Sequence, residues 1–291
     1  MKVGTFRSAD GEVVVAELAG ERAHVLDAPT MLAWLGGEGR TRSGIELEVP
    51  SLSALAPVPE PPSVRDFYAF EGHVAAGART RGGSVPGYWY EAPAFYFSNP
   101  AAIAGPGEPI SRPAGVEELD FELEIAAVIG VPLAAAGGAS APGLGVAAFT
   151  LMNDWSARDV QRRERTVGLG PHKAKDFATS LGPWLVTPDE LPYADGRLRL
   201  RAAVEVNGRE VARADASTQY FGWPEIVAHA GRDTRLRPGD VLGSGTLAGG
   251  CLLELGPLEV GGGAGGRWIE PGDTVALEAR GLGRLETPVV D

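Results

Sequence analysis

The chain has 291 residues, 44% hydrophobic and 22% charged, enough to bury a large core and unlike a disordered or collagen-like polymer. Its 38 acidic against 26 basic residues leave a net charge of −12 with no basic stripe interleaved with aromatics, which argues against a nucleic-acid partner and reads as solubility. A single cysteine, Cys251, excludes an internal disulfide, and no run approaches the roughly 18–20 apolar residues of a membrane span.

Cys251 is expected to be a small buried apolar residue. The first residues, MKVGTFRSADGEVVV, alternate like a strand and lack the apolar run of a signal peptide, so a cytoplasmic location is expected. Short strands are expected at Val3–Phe6, Glu12–Leu18 and Arg22–Leu26, split by Gly or Asp turns, then a helical patch at Ala28–Leu35. Pro57-Val-Pro-Glu-Pro-Pro-Ser63 holds four prolines in seven residues; without their amide hydrogens it can continue neither a helix nor a central strand. It divides the chain into a small N-terminal β domain, 1–60, and a larger domain, 61–291. In the larger part, Ala94–Phe97, Glu122–Ile129 and Val146–Met152 read as strands and Asp154–Thr166 as a helix. Leu198–Val206 and Glu210–Ala214 form a hairpin around Asn207-Gly208. Trp223–Ala230 is a short helix, and two similar turns, Arg237–Val241 and Glu270–Thr274, each feed a β-run. Gly261–Gly266 reads as a flexible loop tip. The 41 glycines and 23 prolines fall as scattered turn signals, so the expected class is mostly β (α+β) with a few helices.

Chemistry concentrates in four places. Leu119-Asp-Phe-Glu-Leu-Glu-Ile125 alternates strictly, so a strand puts Asp120, Glu122 and Glu124 on one face, about 7 Å apart. Buried, such neighbours need protons or a cation between them; exposed, they are an ordinary charged edge strand. The run continues into Ala126-Ala-Val-Ile129, apolar on both faces, which favours burial. In Asn153-Asp-Trp-Ser-Ala-Arg-Asp-Val-Gln161, a helix opening at Asp154 aligns Asp154, Arg158 and Gln161; alone, this reads more simply as an N-cap with an i,i+4 ion pair. Asp66-Phe-Tyr-Ala-Phe-Glu-Gly-His73 gathers an acid, a phenol and one of four histidines just past the proline-rich boundary. Two of the three lysines, Lys173 and Lys175, share the loop Gly168–Phe177.

Taken in order, Asp66-Phe-Tyr…His73, Leu119–Glu124, Leu151–Gln161, Lys175-Asp-Phe177 and Gly243-Ser-Gly-Thr246…Glu254 resemble the fumarylacetoacetate hydrolase family, over roughly residues 60–290. The resemblance implies a small N-terminal β domain followed by a mixed β-roll or sandwich, in a homodimer. It implies Asp66, Glu122, Glu124 and Asp154 as metal ligands, and such hard oxygen donors suit Mg²⁺, Mn²⁺ or Ca²⁺. It further implies His73 as general base oriented by Glu254, and Arg158, Gln161 and Lys175 around the reacting carbonyl. Tyr68, Tyr96 and Thr246 would be substrate contacts. The implied activity is hydrolysis of the C–C bond of a β-diketo acid of the fumarylacetoacetate or acylpyruvate type. A 2-oxo acid decarboxylase, hydratase or isomerase would use the same metal site, and a remoter alternative is a non-catalytic member binding a metal or partner. The spacing of His73 resembles the hydrolase proper. Two departures concern the substrate's far end: no arginine stands in register to hold a distal carboxylate, leaving Arg79 or Arg81 after a shift, and His172 beside Lys175 is unexpected.

Overall fold

The computed structural model describes residues 1–80, 82–131, 145–259 and 266–291. Arg81 and residues 261–265 of the expected loop tip lie outside the described residues. The mostly β class is borne out. The N-terminal segments form an antiparallel meander of Lys2–Arg7, Val13–Ala19, Arg22–Leu26 and Arg42–Glu48. Helix Met31–Leu35 begins three residues later than expected because the Thr30 hydroxyl caps it, accepting from the Ala33 amide at 3.1 Å.

Lys2 and Val3 pair with Val186 and Leu185, so the meander joins one larger sheet, twelve-stranded among the described residues. Beyond Lys2–Arg7 the order runs Thr179–Val186, Gly145–Asp154, Leu123–Gly130, Val241–Gly243, Val64–Phe67 and Phe95–Ser98. A second sheet of five strands runs Arg209–Asp215, Arg201–Val206, Thr274–Ala279, Gly283–Val290 and Ile110–Ser111. The hairpin Arg201–Val206/Arg209–Asp215 turns at Asn207 and Gly208, both at positive φ (52° and 76°), as a primed two-residue turn requires. The two similar turns share one device. Asp240 accepts from the Arg237 amide at 2.7 Å and Asp273 from the Glu270 amide at 2.9 Å.

The strand Leu123–Gly130 is buried along its whole length, and its two faces enter different cores. Phe121, Leu123, Ile125, Ala127 and Ile129 join the large core with Val204, Leu277 and Leu285 of the second sheet. Ala126 and Val128 join a smaller core with Met152, Leu181, Trp34 and Leu35. The even positions 122 and 124 therefore continue an apolar face, which fixes their carboxylates inside the protein.

Two elements differ from the sequence reading. The acidic run is interrupted: Leu119–Asp120 pairs with Ser156–Ala157, and the longer strand starts at Leu123. Asp154 does not open a helix. It ends the strand Gly145–Asp154, paired with Thr179, and the helix is Arg158–Arg165. The sheet ladder carries residues 153 and 154 past the point where local pattern suggested a cap, so Asp154 shares no helix stripe with Arg158 and Gln161.

Candidate active site

Three strands of the large sheet converge their acids at one end of it. Val64–Phe67 carries Asp66, Leu123–Gly130 carries Glu124, Gly145–Asp154 carries Asp154, and Glu122 precedes Leu123. One oxygen from each of Asp66, Glu122, Glu124 and Asp154 lies within 4.8 Å of the others, and all four residues are buried. Between Asp66 and Glu124 runs Val241–Gly243, where only a glycine fits. A Cβ at Gly243 would lie 2.5 Å from Asp66 Oδ1 and 2.9 Å from Glu124 Oε2.

The electrostatics ask for a cation. Burial, then the neighbouring carboxylates, push Asp66 and Glu124 well above the ordinary carboxylate range, and burial raises Asp154. Glu122 is the exception: burial would raise it, but Lys175 and Arg158 outweigh that and hold it well below. Asp66 Oδ1, Glu124 Oε1 and Asp154 Oδ1 are buried without a hydrogen-bond partner. Three orphaned oxygens from three strands, beside the charged Glu122, make a donor set that fits a hard divalent ion.

Basic groups and a phenol border the acids. Lys175 donates to Glu122 Oε2 at 2.6 Å and to Asp154 Oδ2. Burial lowers its basicity, but Asp154 and Glu122 reverse the sign, so its pKa is raised and the amine stays charged. Burial, then Asp154 and Asp66, keep Tyr96 a neutral phenol, donating to Asp154 Oδ2 at 2.6 Å. Arg158 lies 2.6 Å from Glu122 and donates from Nε to Asp120 at 2.8 Å and from Nη1 to Gln161 Oε1 at 3.2 Å. With its oxygen taken, Gln161 keeps an NH₂ as donor.

His73 projects from helix Glu71–Arg79, with Nδ1 2.7 Å from Glu254 Oε1. Burial would raise the Glu254 carboxyl, but the His73 contact and the Gly249 amide at 3.0 Å lower it, so it is ionised and accepts from Nδ1–H. That leaves Nε2 as the basic nitrogen. The Tyr68 ring stands edge-on to the imidazole at 5.3 Å. These groups open onto a cleft of about 380 Å³. Of the twelve residues singled out from sequence, Asp66, Tyr68, His73, Tyr96, Glu122, Arg158, Gln161, Lys175 and Thr246 line it. Glu124, Asp154 and Glu254 stand behind them as partners in the acid cluster and the dyad.

Sequence reasoning missed a clamp. Asp120 is fully buried; it receives Arg158 and also the amides of Leu252 and Leu253 at 2.8 and 3.0 Å, the first turn of the short helix that carries Glu254. Its alternation with Glu122 and Glu124 signalled a shared face but not that this acid binds an arginine rather than joining the cluster. Cys251 is buried, and burial with Asp120 raises its thiol well above the ordinary range. His172 pairs with Glu164 at 2.8 Å, stapling a loop back onto helix Arg158–Arg165. Arg79 is exposed at the end of its helix and does not line the cleft.

Fold and site together define a β-rich protein built round a four-carboxylate centre with a histidine–glutamate dyad beside it. The model of the fumarylacetoacetate (FAA) hydrolase C-terminal region matches residues 63–290, and the chain belongs to that family. Fumarylacetoacetase of Arabidopsis thaliana is 31% identical over 272 aligned residues, covering 73% of this chain and 63% of that protein. The Homo sapiens fumarylacetoacetase is 28% identical over 274, covering 73% and 64%. The chain thus spans under two thirds of the length of these relatives. Among solved structures, a 5-carboxymethyl-2-hydroxymuconate delta-isomerase from Mycobacterium smegmatis matches with TM-score 0.72 and 28% identity over 100% of this chain and 99% of that one. A fumarylacetoacetate hydrolase from Exiguobacterium antarcticum matches with TM-score 0.74 at 20% identity, covering 100% of this chain and 99% of that one, a likeness of fold. Among the described residues no helix is long and apolar enough to cross a membrane.

Proposed function

We propose that the chain is a metal-dependent hydrolase cleaving the C–C bond of a β-diketo acid of the fumarylacetoacetate or acylpyruvate type. The observation that carries this reading is the His73–Glu254 contact of 2.7 Å on the same cleft as the four-carboxylate cluster. Asp66, Glu122, Glu124 and Asp154 would hold Mg²⁺, Mn²⁺ or Ca²⁺, which supplies Lewis-acid stabilisation of enolate charge when bound. His73 Nε2 takes a proton from water as the water oxygen bonds to the acyl carbonyl carbon. Lys175, Arg158 and the Gln161 amide stabilise the resulting oxyanion, and they are pre-oriented by buried partners, so little reorganisation is needed. Collapse breaks the C–C bond, its electron pair passes to the enolate of the departing fragment, and the proton on His73 returns to that fragment's carbon. Glu254 keeps the imidazole in the tautomer this requires.

A second reading, an isomerase of a 2-oxo acid, is favoured by the match to the M. smegmatis isomerase. It needs proton transfer without water addition. Incubation with an acylpyruvate in H₂¹⁸O separates the two. The hydrolase yields two fragments with solvent oxygen in the new acyl carboxylate. Isomerised substrate without fragments, or rapid CO₂ release from oxaloacetate that survives His73→Ala, would overturn the hydrolase reading.

A further inference from the structure

We propose that His73, Cys251 and Glu254 form a second metal site, separate from the four-carboxylate centre and selective for a soft divalent ion such as Zn²⁺, whose occupancy takes His73 out of service as a base. Its donors are a ring nitrogen, a thiol sulfur and a carboxylate oxygen, drawn together from two elements. His73 comes from helix Glu71–Arg79. Cys251 precedes helix Leu252–Leu255, and Glu254 lies three residues on, about one turn later and on the same side. The carboxylate is aimed before any ion arrives, because its other oxygen accepts from the Gly249 amide at 3.0 Å. Nδ1 and Oε1 stand 2.7 Å apart, Sγ and Oε1 3.5 Å, and Sγ and Nδ1 3.9 Å. An ion about 0.8 Å off the plane of these atoms meets all three at about 2.05, 2.1 and 2.3 Å, the lengths of Zn–N, Zn–O and Zn–S bonds. No donor has to move. Glu254 is half-buried while the other two are buried, which leaves a way in and a fourth corner for water.

The two centres sort ions by softness. Asp66, Glu122, Glu124 and Asp154 offer oxygen alone, which suits Mg²⁺ or Mn²⁺, whereas the sulfur of Cys251 is a donor that those ions bind weakly and Zn²⁺ or Cd²⁺ bind strongly. Charge balances as well. The ion displaces the thiol proton, which leaves to solvent. A thiolate, a carboxylate, a neutral imidazole and a divalent cation then sum to zero, and buried charges are tolerated when they are paired in this way. The consequence for His73 follows from its two nitrogens. With Nδ1 on the ion, the ring proton moves to Nε2, the atom that otherwise serves as the base, and no lone pair is left to accept from water. The site itself needs no assumption about the reaction; only its inhibitory effect rests on the reading above.

Cys251 is the only cysteine in the chain, so a cadmium–thiolate charge-transfer band in the ultraviolet reports this site alone. The full chain, with its thiol kept reduced by a phosphine and its carboxylate centre saturated with Mn²⁺, is titrated with Cd²⁺. The band is expected to rise and to saturate at one ion per chain, and Cys251→Ser should abolish it. His73→Ala and Glu254→Gln keep the thiol but each remove or weaken one donor. Each should weaken Cd²⁺ binding at least about 10-fold, the loss that follows even when only a ligand's own hydrogen-bond partner is removed. Turnover of an acylpyruvate by the Mn²⁺ form should fall as the band rises, and Cys251→Ser should need at least about 10-fold more Cd²⁺ for the same loss. No band, a band indifferent to His73→Ala and Glu254→Gln, or turnover that survives a saturated band overturns the inference. Equal sensitivity of wild type and Cys251→Ser to Cd²⁺ overturns it too. A band in a protein without any turnover in its Mn²⁺ form sinks the hydrolase reading and leaves this site; turnover without a band does the reverse.

Discussion

Gly243→Ala perturbs the candidate metal centre without removing a ligand. Gly243 pairs with Asp66 on one side and Ala126 on the other, so its backbone cannot move without dragging both ligand-bearing strands. The added methyl would sit 2.5 Å from Asp66 Oδ1, 2.6 Å from Met152 Cε and 2.9 Å from Glu124 Oε2. Overpacking of this kind costs about 1–3 kcal/mol. In metal-free protein the two carboxyls have no ion to converge on and can turn aside from the methyl; around an ion they cannot. Most of the cost therefore falls on the metal-bound state. Taking about 2 kcal/mol, Mn²⁺ affinity drops about 30-fold. At a Mn²⁺ concentration about a hundred times the wild-type Kd, stabilisation by the ion then falls from about 2.7 to about 0.9 kcal/mol. Denaturant unfolding with Mn²⁺ and with EDTA measures both numbers. Gly87→Ala, where a Cβ meets nothing within 4 Å, is the control. If Gly243→Ala kept the wild-type difference between Mn²⁺ and EDTA, or if wild type showed none, the centre would not be a metal site of this geometry.

His73→Ala is expected to lower turnover by about 10²–10⁴-fold while Mn²⁺ affinity stays near wild type, and Glu254→Gln to cost less because the imidazole remains. Loss of Mn²⁺ binding in His73→Ala would instead make the histidine a ligand or a structural residue. Asp120→Asn keeps the shape of the clamp but removes the charge facing Arg158 and turns an NH₂ toward one of its donors. Because Glu122 still faces Arg158 at 2.6 Å, the lower end of the cost of breaking a buried pair applies, about 3 kcal/mol by urea unfolding. A loss under about 1 kcal/mol would show that Asp120 does not hold the arginine and the Glu254 helix together.

Sequence by itself determined what depends on period and local chemistry. The alternation through Leu119–Ile125, running on into Ala126–Ile129, already placed Glu122 and Glu124 on one face of a buried strand, and the core confirms that face. Asn207-Gly208 determined its hairpin because few other pairs tolerate two positive φ angles. Tertiary structure decided what depends on partners distant in the chain. Asp154 reads locally as a helix cap, yet pairing with Thr179 keeps it in the sheet and aims it at the cluster. Asp120 and Glu122 are two residues apart and chemically alike; one clamps Arg158 and the amides of 252 and 253, and the other sits between two cations and the acid cluster. Gly243 is one of 41 glycines, and its need appears only where two carboxylates close on it from neighbouring strands. Residue pattern repeats over a few positions, whereas a charge's role is set by whichever groups the fold brings within about 4 Å of it.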